Sequence, residues 1–260
     1  MKQYLTSTLI CALLSTPLYA ETAAEKGLAI AQEVERRDSG WNDATTTLKM
    51  ILRNQQGDES TRNLRLKSLE INGDGDKNLT IFDHPRDVKG TAFLSFSHTL
   101  TPDDQWLYLP ALKRVKRVSS SNKSGPFMGS QFAYEDLTSF EVDKYGYKYL
   151  HDEKLGNNDT FVVENYPNYE HSGYQRQIVW IDKQHYIPLQ VEYYDRKNDL
   201  LKTLRFNGYR QYLDQYWRAQ EQVMENHQNG KVTILTLTDY QFRTGLEERD
   251  FHRTRLKRLR

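Results

Sequence analysis

The residues of this 260-residue chain that could do chemistry are seven histidines, an alternating Asn/Gly/Asp run, a cationic block beside aromatic residues, and a few isolated carboxylates. His84, His98, His151, His171, His185, His227 and His252 are widely separated, with no pair at i and i+4 to grip zinc from one helix face. They read as surface or hydrogen-bonding residues, and no metal is expected. Asn72-Gly73-Asp74-Gly75-Asp76-Lys77-Asn78 offers oxygen ligands at calcium-like alternation. With Asp74 in first place, however, the glycine position falls on Leu79 and the bidentate glutamate position on Pro85, so the segment is expected to be a hairpin turn. Asp182 and Asp195 lack the paired separation and tuning of glycosidase carboxylates. Gly125 and Gly129 have neither the lysine nor the strand-to-helix setting of a phosphate loop, and there is no nucleophile-elbow motif. What is left is binding: neither enzymatic activity nor a cofactor is expected.

The cationic block, Lys113, Arg114, Lys116 and Arg117, follows Trp106, Tyr108 and Pro110. Phosphate contacts and base stacking would suit nucleic acid. The whole chain, though, balances 36 Lys+Arg against 35 Asp+Glu, leaving a formal charge of +1 and no long-range field, so nucleic acid is not expected. Docking to a protein, contact with anionic lipid headgroups, and a simple solvated strand face all stay open.

These residues need elements to hold them. Residues 1–20 read as a cleaved export signal: Lys2, an apolar stretch over 5–14, then Pro17-Leu18-Tyr19-Ala20 before Glu21, too short to span a bilayer. Cys11, the single cysteine, lies inside this leader and follows Ile10, so neither lipidation nor a disulfide is expected, and the mature chain is assigned to the periplasm. Residues 21–260 are expected to form one domain. The whole chain is 37% hydrophobic and 12% aromatic, enough for a sizeable core, which excludes a disordered or multi-span chain. Thr22 and Glu25 form a capping box for a helix over 22–37 with Ala24, Leu28, Ala31 and Val34 as its apolar stripe, ended by Asp38-Ser39-Gly40. Period-two alternation then predicts a hairpin of 46–53 and 61–71 around Gly57-Asp58. Further strands are predicted over 78–82, 91–97, 105–109, 113–118, 160–165, 177–181, 189–195, 200–206 and 231–242, in an antiparallel arrangement. Residues 119–140 form a long polar loop carrying Phe127, Met128, Phe132 and Tyr134, a length that calls for a function or a short helix. Residues 209–228 show no clean alternation.

Gly90-Thr91-Ala92-Phe93, the stretch from Asp104-Gln105-Trp106 through Pro110-Ala111-Leu112 to Val118, and Gly125-Pro126-Phe127-Met128-Gly129-Ser130-Gln131-Phe132-Ala133-Tyr134-Glu135-Asp136-Leu137 together carry a family resemblance. With Trp180-Ile181-Asp182, Pro188, Tyr194-Asp195 and Leu200-Leu201-Lys202, the chain resembles the outer-membrane lipoprotein-sorting protein family, whose domain is like the periplasmic lipoprotein carrier.

The resemblance implies a mainly β fold: a strongly curved antiparallel sheet forming an incomplete β-barrel, with covering helices and an apolar cavity. It also implies trafficking of a lipid, a lipid-modified protein or another amphiphile, often with an inner-membrane exporter of the resistance-nodulation-division superfamily and transient membrane contact. On that basis Phe93, Phe96, Trp106 and Tyr108 are expected to line the cavity or its rim. Phe127, Met128, Phe132 and Tyr134 are expected to contact cargo from a mobile lid, and Lys113, Arg114, Lys116 and Arg117 to dock. The alternatives are a filled core and a structural or regulatory accessory protein of an envelope exporter.

Overall fold

The computed structural model describes residues 21–259, so the proposed leader with Cys11 lies outside the described residues. Helix α1 (Ala23–Arg37) starts as expected: Thr22 Oγ1 accepts from the Glu25 N–H at 3.1 Å, and Glu25 Oε2 accepts from the Thr22 N–H at 2.8 Å. Its buried face is rotated from the expected stripe. Gly27, Ile30 and Ala31 are buried, whereas Ala24 and Leu28 are exposed. Gly27 decides this, because a Cβ there would sit 2.9 Å from the backbone nitrogen of Tyr149. The helix lies backbone against backbone on a strand, and that close approach sets its rotation more strongly than side-chain size.

Strands β1 (Asp43–Arg53), β2 (Glu59–Leu69), β3 (Lys77–His84), β4 (Ala92–Phe96), β5 (Asp104–Leu109) and β6 (Arg114–Val118) form one meander. A second meander contains β7 (Tyr145–Leu155), β8 (Asn158–Pro167), β9 (Tyr174–Asp182), β10 (Pro188–Asp195) and β11 (Leu200–Asn207). The short strands β12 (Arg210–Tyr212) and β13 (Tyr216–Arg218) pair only with each other, and β14 (Glu221–Asn226) and β15 (Val232–Phe242) follow. β15 pairs antiparallel with β1 on one side and β14 on the other. It thereby joins both meanders into one thirteen-stranded sheet whose edges, β6 and β7, do not meet. The fold is mainly β and its sheet is an open, incomplete barrel.

Residues 119–144 form a strap that runs from the β6 edge to the β7 edge across the concave side. The strap carries short 3-10 turns at Phe127–Gly129, Tyr134–Leu137 and Val142–Lys144. Its backbone is pinned strand by strand: Arg62 of β2 donates to the Met128 carbonyl, Gln105 of β5 to the Tyr134 carbonyl at 2.8 Å, and Lys202 of β11 to the Gln131 carbonyl at 2.9 Å. The Gln131 N–H reaches Thr233 Oγ1 of β15 at 2.9 Å. The hairpin turn at Asn72 to Asp76 contributes as well, since Ser139 Oγ donates to Asp76 Oδ2 at 3.0 Å. A segment predicted to be a loop is therefore a partly buried element, whose backbone polar groups are satisfied in part by the sheet beneath it and in part within the strap itself.

Two apolar clusters follow from the alternation. Leu48, Met50, Leu64, Phe82, Phe93 and Leu107 face inward and meet Phe127 of the strap. On the outer face of β2 to β6, Leu79, Ile81, Ala92 and Leu94 are covered by a C-terminal tail whose Phe251 and Leu256 are each 1% exposed. Among the described residues no helix is long and apolar enough to cross a membrane.

Candidate functional site

The second meander lays its concave side chains out in rows fixed by register. One row runs Val163, Val179, Val191, Leu204 and Met224 across β8, β9, β10, β11 and β14. The next runs Tyr147, Asn165, Gln177, Tyr193 and Lys202 across β7 to β11. An apolar stripe thus lies directly beside a polar one on the same inward face, two residues along each strand.

Above this floor is a cavity of about 1400 Å³. Its walls come from α1 through Ala31, Val34 and Glu35, from the strap through Phe132, Glu135, Asp136 and Phe140, and from the β12–β13 hairpin through Trp217 and Arg218. Val163, Val179, Val191 and Leu204 contribute the apolar floor, and Tyr145, Tyr169, Tyr174, Tyr193 and Tyr240 give the interior many amphipathic rings. Tyr174 and Tyr193 pack with centroids 4.9 Å apart.

Strap and floor are locked by buried polar contacts. Lys202 Nζ lies 2.5 Å from Asp136 Oδ2, with both side chains 3% exposed, and the Tyr174 hydroxyl donates to Asp136 Oδ1 at 2.7 Å. Glu135 accepts from Ser172 Oγ at 2.9 Å and from the Gly173 N–H at 2.8 Å. Burial, reinforced by Asp136, raises the Glu135 pKa. Burial pushes Glu141 up to about 7, with Asp76 adding repulsion, and pushes Asp76 up to about 6. Asn165, 5% exposed and part of the cavity wall, has an Oδ1 with no hydrogen-bond partner.

Of the eight residues expected to contact ligand, Phe132 lines this cavity. Phe93, Phe127 and Tyr134 fill the first meander instead, with Phe127 at 5.1 Å from Phe93, 5.6 Å from Tyr134 and 5.9 Å from Phe82. Met128 packs against the same core. Phe96, Trp106 and Tyr108 point to the outer face and pack under the C-terminal tail. Phe93 and Phe96 stand three apart in one strand, an odd spacing that sends them to opposite faces. Of the residues expected in the lid, Phe127, Met128 and Tyr134 pack against the core and Phe132 lines the cavity, and the residues expected at the rim are split across two faces of the sheet. Lys113, Arg114, Lys116 and Arg117 are exposed together at and beside edge strand β6, with Arg117 paired to Asp104.

The lining from β7 to β11 is not legible in the sequence pattern, because polar side chains inside a strand are indistinguishable from those facing water. One signal was available: Tyr145, Tyr147 and Tyr149 alternate at period two, marking β7 despite its charged second half.

A family model described as an uncharacterized protein matches residues 74–258. The chain is similar, at 64% identity and a TM-score of 0.89, to the crystal structure of a candidate outer membrane lipoprotein-sorting protein domain from Vibrio parahaemolyticus, over 90% of this chain and 99% of that one. It is similar at 27% identity and a TM-score of 0.86 to a DUF1329 family protein from Desulfovibrio piger, again over 90% and 99%. A LolA superfamily protein from Nitrosomonas europaea shares the fold at 20% identity and a TM-score of 0.70, over the same shares of the two chains. No curated protein matches the chain. With close identity across nearly all of a sorting-protein domain, the chain belongs to the outer-membrane lipoprotein-sorting protein family.

Proposed function

We propose that the protein is a non-enzymatic carrier that binds a lipid, a lipid-modified protein or another amphiphile in this cavity and moves it across the periplasm. The observation that carries this reading is the cavity itself: about 1400 Å³ left open above an apolar floor of Val163, Val179, Val191 and Leu204, which Phe82, Phe93 and Phe127 of the same core do not line. Each CH₂ transferred from water contributes about 0.8 kcal/mol, so a twelve-carbon tail on the Val163–Val179–Val191–Leu204 floor gains roughly 10 kcal/mol before the costs of ordering. The carrier domain follows residues 1–20, which are removed on export. Lys113, Arg114, Lys116 and Arg117 give reversible contact with a resistance-nodulation-division exporter or an anionic membrane surface.

Titrating delipidated protein with an environment-sensitive alkyl fluorophore tests the reading. Saturable one-site binding, displaced by unlabelled alkyl chains, is expected. Absence of saturable binding to folded protein would contradict it.

A further inference from the structure

We propose that the cavity receives the polar end of its amphiphile at Asn165 and selects a headgroup that is cationic and donates hydrogen bonds, a primary ammonium, over an anionic one. The inference rests on the carrier reading above and specifies its ligand.

The first observation is the orphaned acceptor. Asn165 Oδ1 is buried without a partner, while its residue faces the cavity from the middle of the polar row. A buried polar atom left unpaired costs about 1–3 kcal/mol; Oδ1 itself is covered, so a ligand donor reaches it once the Asn165 amide turns toward the cavity its residue lines, and the bond then repays that cost. Tyr147 and Gln177 are its register neighbours on either side. The Tyr147 hydroxyl is committed to the Val142 carbonyl at 2.8 Å.

The second observation is the sign of charge around it. Carboxylates outnumber cations in the lining, with Asp76, Glu135, Asp136 and Glu141 all present. The lining cations are already engaged: Arg36 and Arg37 with Glu33, and Arg218 with Asp38. Lys202, at the end of the polar row, is bound to Asp136 and the Gln131 carbonyl. An anionic headgroup entering here finds every lining cation already paired and an excess of lining carboxylates, whose buried members Asp76, Glu135 and Glu141 it pushes further toward protonation, whereas an ammonium favours their ionised forms and meets tyrosine faces. The apolar row beside Asn165 then takes the tail, so that head and tail lie on adjacent rows of one sheet.

The test holds the tail constant and varies the head. Dodecylammonium, dodecyltrimethylammonium and laurate, below their micellar concentrations, are titrated by calorimetry into delipidated full-length mature protein, with butylammonium as the chain-free amine. Dodecylammonium should bind about tenfold or more tightly than either of the other twelve-carbon probes, as expected for one charge-assisted hydrogen bond. Butylammonium should bind far more weakly. Asn165→Leu should erase the advantage over dodecyltrimethylammonium, which has no N–H, while keeping discrimination against laurate. Asn165→Asp, which keeps the acceptor, should retain or strengthen dodecylammonium binding, and circular dichroism of both variants confirms that they are folded. Laurate binding as tightly as dodecylammonium, or an unchanged probe order in folded Asn165→Leu, would overturn the headgroup inference and leave the carrier reading standing. Equal binding of butylammonium would make the site one for soluble amines and overturn both. Failure of every twelve-carbon probe would also remove both.

Discussion

The concave face is solid from β1 to β6 and hollow from β7 to β11, although one sheet and one strap build both. In the solid half Leu64, Phe82, Phe93 and Phe127 are each no more than 2% exposed, and none of them lines the cavity. Phe127 reaches down from the strap and fills the space between strands. In the hollow half the strap offers Glu135, Asp136 and Glu141 alongside Phe132 and Phe140, and the floor beneath is valine, leucine and tyrosine. Curvature alone therefore does not make a cavity. The side chains that a crossing segment presents decide whether a curved sheet closes on a core or leaves room for a ligand.

The comparison is most severely stressed at Phe127. Phe127→Ala removes a fully packed ring from the solid half and should destabilise by about 3–5 kcal/mol in urea denaturation. Amphiphile occupancy of the remaining folded protein should change little, because Phe127 does not line the cavity. A stability loss below 1 kcal/mol would show that the first half is not solid.

Enlarging side chains asks the converse. Leu64→Phe overpacks the filled half and should cost about 1–3 kcal/mol. Val191→Phe extends a ring toward the cavity that Val191 lines, so it should cost less stability than Leu64→Phe while alkyl-probe affinity falls at least tenfold. Equal destabilisation by the two substitutions would erase the distinction between the halves.

Protonation gives a third, smaller contrast. Burial holds Glu141 at about 7 and Asp76 at about 6, above their ordinary values of 4.5 and 3.8. A native state that binds protons more tightly than the unfolded chain loses stability as pH rises, here from about 4 to about 7, and carries the full penalty above that. Asp74 has the opposite sign. Partial burial raises it, but hydrogen bonds from His98 and from the Thr99 and Gly75 N–H groups hold it at about 2, so its contribution is lost only as pH falls below its ordinary 3.8. Glu141→Gln should flatten the thermal-stability profile between about pH 5 and 8 and stabilise by about 1–2 kcal/mol at the upper end. A variant whose melting temperature falls at the upper end would contradict this.

The smallest stability effect is expected at edge strand β6. Replacing Lys113, Arg114, Lys116 and Arg117 with Gln should move folding stability by no more than about 1 kcal/mol, because these charges are exposed. Association with anionic vesicles should weaken most at low salt. Unchanged binding by the folded variant would remove the docking role and leave these charges as a guard against edge-to-edge pairing.

Most strands and the capped helix were legible because apolar alternation and a capping box are local signals. The division into solid and hollow halves was not, since it depends on where Phe127 and Glu135, eight residues apart on the strap, come to rest over strands far away in sequence. The family resemblance pointed to an apolar cavity, yet the aromatic residues that made the motif distinctive, Phe93, Trp106 and Phe127, are packing residues. The cavity wall is built from ordinary-looking valines and tyrosines in β7 to β11. The tail residues Phe251 and Leu256 carried no periodic signal, because 3-10 turns cover the outer face without presenting a continuous stripe.

Native mass spectrometry of protein released from the periplasm without detergent, comparing wild type with the Val179→Phe/Val191→Phe double variant, tests the hollow half most directly. Wild type should carry about one amphiphile per chain, recoverable by solvent extraction, and the folded double variant should be largely ligand-free. A ligand-free wild type, or full occupancy in the filled variant, would contradict the assignment of this cavity as the carrier site.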